Sequence, residues 1–212
     1  MTVVENSNRK DLLVITADAN MQAGVEAILN RPKSLNIRPI TFQIFRHPQR
    51  DPGCRVYGAS FSQLFLEQFA CCMIIFDLAG CGEGNIKAIE LEKQSDRILS
   101  SMGWGYNAKT IVIDPELEIW VWSDSPRVDD ALGWRNKTPA LKDFLIQMNF
   151  LQLNQVKPQN PKKAVELILR TAKIPRSSNI YKAIAEKVSL QRCQDSAFNK
   201  FKSTLISWFP SN

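Results

Sequence analysis

The chain predicts an α/β fold: a mainly parallel four-stranded sheet with helices packed on both faces, followed by a basic, all-helical C-terminal region. Three observations carry this expectation. Four short runs are apolar on both faces, as buried parallel strands require. Between them lie segments with the 3.6-residue spacing of amphipathic helices. After Pro126 only the helical pattern continues. Strands alternating with helices, then helices alone, describe a parallel sheet with a helical region added to it.

In chain order, residues 11–18 (DLLVITAD) read as the first buried strand. Asn20 is a candidate cap for a helix carrying Met21, Val25, Ile28 and Leu29 on one face, with Pro32 as its stop. Residues 37–45 (IRPITFQIF) read as a second strand, and 46–54 (RHPQRDPGC) as a loop, because of its two prolines and Gly53. Phe61, Leu64, Phe65 and Gln68 to Phe69 suggest a short amphipathic helix. Residues 71–77 (CCMIIFD) form the clearest buried strand. The Gly80–Gly84 turn then leads into a helix through Met102, ended by Gly103-Trp104-Gly105. Residues 110–113 (TIVI) are the fourth strand, closed by Asp114-Pro115. Beyond it, Asn160-Pro161 caps and starts a helix through Thr171. Ser177 or Ser178 starts another through Val188, and Asp195 or Ser196 a last one through Trp208. The expected division is an α/β domain over 1–125 and a basic helical region over 126–212 packed on it.

Composition narrows the function classes. With 44% apolar and 23% charged residues in 212, the chain has the make-up of a globular protein with a self-sufficient core. The longest uncharged apolar run, 69–76, is far short of the roughly 20 residues of a membrane helix. The N-terminal MTVVENSNRKD has no apolar signal region, so the expectation is a cytoplasmic protein without a membrane partner. Five cysteines without a C-x-x-C pair, beside a single histidine, argue for buried free thiols rather than a disulfide framework or zinc site. Trp120 and Trp122 read as core or interface residues rather than a base-stacking platform.

The charge is unevenly spread. Residues 1–125 hold 12 Lys and Arg against 15 Asp and Glu, a net −3, whereas 126–212 hold 15 against 6, a net +9. Carboxylates that hold cations beside Lys and Arg that hold phosphates would show this split, and so would a solvated basic helical surface. In an open parallel sheet, ligands bind at the carboxyl ends of the strands. Asp18, Asp77 and Asp114 stand at three such ends, with Glu116 and Glu118 close behind. Converging carboxylates suit a hard cation such as Mg2+ or Mn2+, although strand-end aspartates also cap helices. No G-x-x-x-x-G-K-[ST] or G-x-G-x-x-G follows a strand. His47, flanked by Arg46, Arg50 and Arg55, fits a phosphate-facing loop or an ordinary surface loop. Lys173, Arg176 and Lys182 surround a helix start that is able to bind a phosphate.

These pieces in this order resemble a known family. An acidic strand end, the RHPQRDPGC loop, IIFD with its Gly-rich turn and IDPELEIWVW are similar to the Toprim-like proteins of prokaryotic defence islands. In particular they resemble the Toprim-like component of methylation-associated phage-defence systems. The resemblance runs along nearly the whole chain, through KIPRSSNIY to the final SWFP. Its most specific piece is Pro115–Trp120, similar to a P-E-x-E-x-W signature. The resemblance implies a compact α/β sheet with an acidic, Mg2+-binding centre of the kind found in nucleases, topoisomerases and primases. Asp77, Glu116 and Glu118 match the family's acids. Ala17 stands where the pattern has a strand-end Glu, with Asp18 beside it, and Ala79 replaces the second acid of an Asp-x-Asp. The expectation is that Asp77, Glu118 and Asp18 hold the metal, with Glu116 or Asp18 activating water. Lys173, Arg176, Lys182, Arg46, Arg50 and His47 would contact nucleic acid. Such a protein would be a nuclease-type component of antiphage defence, with partners such as an ATPase. The alternative is a degenerate subunit that binds nucleic acid or a partner without cleaving.

Overall fold

The computed structural model describes residues 9–123 and 125–211. Its centre is a four-stranded sheet, all parallel, in the order β2-β1-β3-β4. The strands are β1 (Lys10–Thr16), β2 (Phe42–Arg46), β3 (Phe69–Asp77) and β4 (Ala108–Ile113). Leu12 pairs with Phe42, Ile15 with Ile74, and Phe76 with Val112. β1 and β3 are the inner strands, and Leu12 to Ile15 and Cys72 to Phe76 are wholly shielded from solvent. This explains their unbroken apolar runs: both faces of an inner parallel strand are covered.

The crossover helices are α1 (Ala19–Leu29), α3 (Arg50–Gln63) and α4 (Ala88–Leu99); a short α2 (Pro32–Leu35) follows α1. The chain steps from β1 outward to β2, then back across β1 to β3 and β4. Right-handed crossovers therefore set α1 on one face and α3 and α4 on the other. Beyond β4 come α5 (Glu118–Val121), α6 (Arg127–Ala131), α7 (Leu141–Gln147), α8 (Pro161–Ala172), α9 (Ser178–Lys187) and α10 (Ser196–Trp208). α9 lies along α1, and α10 packs beside β4. Among the described residues after Pro126 the only β interaction is an isolated bridge from Pro210 to Ile37.

Several expected boundaries move. The second strand begins at Phe42, not Ile37, because Pro39 has no N–H for a ladder and Asn36 takes a left-handed turn at φ 60°. Asp18, not Asn20, caps α1: its Oδ1 accepts from the Met21 N–H at 2.9 Å. The loop expected over 46–54 is already helical from Arg50, since Pro52 falls in a first turn, where a missing N–H costs nothing. Of the helix expected around 61–69, only 61–63 is helical, as the end of that same α3; 64–68 are turns and Phe69 opens β3. The helix after the Gly80–Gly84 turn stops at Leu99 and passes into a π turn over Ser100–Trp104. The last three helices fall within about one residue of expectation. All five cysteines are free and buried. Trp120 and Trp122 are buried, donating to Asp195 Oδ1 at 2.9 Å and to the Pro161 carbonyl at 3.1 Å.

Candidate functional site

Strand order makes one place special. The crossovers change direction between β1 and β3, and the crevice outside the carboxyl ends of such a pair is where open α/β sheets bind ligands. Asp18 follows β1 there, and Asp77 ends β3. The N-terminal turn of α3 adds Asp51, a residue of the segment expected to be a loop. Asp51 Oδ1 accepts the Asp77 backbone N–H at 2.8 Å. A Cβ at Gly80 would lie 2.8 Å from Asp51 Oδ2, so the turn after β3 presses its backbone against that carboxylate.

Asp77 is the exceptional residue. Its Oδ1 is enclosed and has no hydrogen-bond partner among the described residues. Burial pushes its carboxyl well above the usual carboxylate range, and Asp51, Glu118, Asp18 and Glu116 push it further. Burial also raises Asp51, against the lowering effect of its bond from Asp77. A buried carboxylate oxygen without a donor demands a proton or a cation.

The other predicted acids are near but engaged. Glu118, 3% exposed, accepts from Arg176 Nη2 at 2.6 Å and from the Tyr181 hydroxyl at 2.5 Å. Glu116 faces Lys162 Nζ at 3.0 Å. Arg176 also reaches Glu166 at 2.7 Å. Burial and the neighbouring Glu118 raise the Tyr181 hydroxyl, which stays protonated as the donor Glu118 needs. Asp114 is exposed. Among the described residues no three His, Cys, Asp or Glu side chains are grouped to hold one ion. Asp77, Glu118 and Asp18 thus share one electrostatic neighbourhood without forming a ready triad, because Glu118 already holds a guanidinium.

Beside the acids opens a cleft of about 890 Å³. Ala17, Asp18 and Asn20 line one wall, Arg46, Arg50, Lys162 and Arg176 supply its positive charge, and His47 joins the lining. Four of the six residues expected to meet nucleic acid are therefore together: Arg46, His47, Arg50 and Arg176. Lys173 and Lys182 lie outside the lining. Lys173 is exposed at the left-handed end of α8 (φ 59°), and Lys182 stands 4.0 Å from Glu186 on α9. Lys162 joins the site unannounced, one residue after the Asn160-Pro161 start that aims the first turn of α8 at Glu116.

Comparison with protein-family models, with curated proteins and with solved structures gives no match to this chain.

Proposed function

We propose that the protein is a Toprim-like, nuclease-type component of an antiphage defence system, binding nucleic acid in the cleft and one Mg2+ or Mn2+ at Asp77. The observation that carries this reading is the enclosed, unpartnered Asp77 Oδ1 among further carboxylates at the switch point of a parallel sheet. Mg2+ is usually held by one or two carboxylates, with water and substrate phosphate filling its other positions, so a ready triad is not required. Asp77 would hold the ion, with Asp18 and Asp51 beside it. Glu118 would join only on releasing Arg176, and Glu116 only on releasing Lys162. The bound ion would polarise a phosphodiester and lower the pKa of a water. Arg46, Arg50, Lys162 and Arg176 offer the backbone positive charge, and the −3 and +9 segments meet along this cleft. The antiphage role rests on the sequence resemblance, as do partners such as an ATPase.

The second reading is a subunit that binds the backbone or a defence partner but does not cleave. The Glu118–Arg176–Tyr181 network favours it, together with Ala17 and Ala79 at positions where the resemblance implies acids.

Thermal unfolding with and without millimolar Mg2+ or Mn2+, run beside assays on DNA and RNA, separates the readings. A bound ion stabilises the fold by about 2.7 kcal/mol at a hundredfold excess over its dissociation constant. The first reading expects a midpoint that rises with metal in the wild type but not in Asp77→Asn, and metal-dependent cleavage that the variant loses at least a hundredfold. Nucleic-acid binding without cleavage establishes the second reading. Neither a metal response nor nucleic-acid binding removes both.

A further inference from the structure

The cleft holds two kinds of cation. Arg176 and Lys162 are committed to Glu118, Glu166 and Glu116. Arg46 and Arg50 are exposed, line the same cleft and have no ion-pair partner among the described residues. Between them in sequence sits His47, only 6% exposed and also part of the lining.

His47 is held from three sides. Its N–H donates to the Thr16 carbonyl at 2.9 Å, tying it to the end of β1. Its ring stands edge-on to Phe61, centroids 5.5 Å apart. Its Nδ1 accepts the Gln49 backbone N–H at 3.2 Å. An imidazole that accepts at Nδ1 carries its proton at Nε2, so the tautomer is fixed and Nε2 is a donor. Burial lowers the pKa of His47, which keeps the ring neutral. Gly53 makes room for this arrangement: a Cβ there would sit 2.0 Å from Nδ1 and 2.4 Å from Cε1.

The backbone around the ring is strained to the same end. Arg50 takes φ 52°, a left-handed conformation uncommon for a residue with a side chain, while its N–H bonds the His47 carbonyl at 3.0 Å. Strain of this kind persists where surrounding structure enforces it, and it concentrates at binding sites. Across the cleft, α1 begins at Ala19 with Asp18 capping only the Met21 N–H, so the earlier N–H groups of that turn remain to serve an anion.

We propose that Arg46, Arg50 and the Nε2–H of His47 form a phosphate-binding corner, with Gln49 and Gly53 as the positioning residues that set the imidazole. Two unpaired guanidinium forks, one neutral N–H donor and a helix start match the several acceptors of a tetrahedral phosphate better than a planar carboxylate. The proposal deepens the reading given above by naming the group that the cleft grips, and it rests on that reading only for the source of the phosphate: a strand's internal phosphodiester or a terminal phosphate.

His47 is the chain's single histidine, so in protein free of any histidine tag its imidazole nitrogens give one set of NMR signals. The experiment titrates inorganic phosphate, and then single-stranded oligonucleotides with and without a 5′-phosphate. The expected result is an Nε2–H tautomer before ligand and a saturable shift of Nε2 on titration. Joint replacement Arg46→Ala and Arg50→Ala, both on the surface, should abolish that shift. It should also weaken oligonucleotide binding tenfold or more and lower the salt slope by about 1.4, the single-strand value for two phosphate contacts. Gly53→Ala should displace the ring and weaken binding comparably, whereas His47→Gln, which keeps a donor, should stay within about threefold of wild type. The tautomer protonated at Nδ1, or a phosphate shift indifferent to both arginines, overturns the corner.

The two proposals fail separately. Oligonucleotide cleavage that survives loss of both arginines leaves the nuclease reading and removes the corner. A phosphate shift that depends on them, in protein that neither answers metal nor cleaves, leaves the corner and removes the nuclease reading.

Discussion

At the scale of single residues, Asp77 sets the terms. Its carboxyl is raised above the ordinary 3.8 by burial and by four neighbouring acids, so the folded protein binds this proton more tightly than the unfolded chain does. The sign follows from linkage: the stabilisation is complete below about pH 3.8 and is lost as pH rises through the folded-state value. At neutral pH the ionised form is therefore a burden that an amide lacks. We expect Asp77→Asn to melt a few °C higher than wild type at pH 7 without metal. The gap should shrink as pH falls toward 4, and a calorimetric series of the two proteins against pH checks it. An unchanged gap across the range would show that the carboxyl is not perturbed. Glu118 differs in its partners: it accepts from Arg176 Nη2 at 2.6 Å and from the Tyr181 hydroxyl. The two acids lie in the same neighbourhood, and only one of them lacks a partner.

At the scale of elements, α1 offers a direct test of packing. Gly24 is buried in the middle of this helix, and a Cβ there would meet only Tyr181 Cβ, at an ordinary 3.9 Å. It borders an apolar cavity of about 40 Å³ shared with Ile28, Trp120, Ile184 and Phe198. Gly24→Ala gains helix propensity and fills part of that space, so we expect stabilisation of about 1 kcal/mol, a rise of roughly 2–4 °C. A lower midpoint would mean that α1 and α9 are already in tight contact. Elements also show what the sequence could reveal. β1 and β3 were legible because inner parallel strands carry apolar residues on both faces, β4 because this edge strand is buried nearly throughout with α10 packed beside it, and α8 to α10 because Asn160, Ser177 and Asp195 stand at their N-cap positions. α3 was misread at its start, where Pro52 and Gly53 look like loop residues yet suit a first turn and the space beneath His47. Asp18 and Asp77 were legible as strand ends. Asp51 was not, because only the crossover from β2 to β3 brings it to the Asp77 N–H. Nor was the bond of Glu118 to Arg176, which spans 58 positions and depends wholly on how α8 and α9 close over the sheet.

At the scale of the molecule, ion pairs tie the acidic and basic segments together before any ligand is considered. Glu116 meets Lys162, Glu118 meets Arg176, and Glu92 meets Lys200, each pair joining the first 125 residues to the rest. Glu92, 3% exposed, also accepts the Val112 N–H at 3.0 Å, so one carboxylate links α4, β4 and α10. Lys200→Met would strand that carboxylate. Fully buried pairs lose about 3–5 kcal/mol this way. Lys200 is 28% exposed, so we expect a loss nearer 2 kcal/mol in urea unfolding. Glu92→Gln, which keeps an acceptor for Val112, should cost less, and the reverse order would deny the link. The cysteines make these couplings observable. Cys71 is pushed up to about 12 by burial, and all five cysteines are buried, so each meets a reagent slowly while the fold is closed. Cys54, Cys71, Cys72 and Cys81 lie in the sheet half and Cys193 just before α10. Alkylation mapped by peptide thus acts as a pair of clocks within one chain. If the shared ion pairs bind the halves into one cooperative unit, both clocks run at the rate of a single global opening; if the helices lift away first, Cys193 reacts while the sheet thiols are still silent.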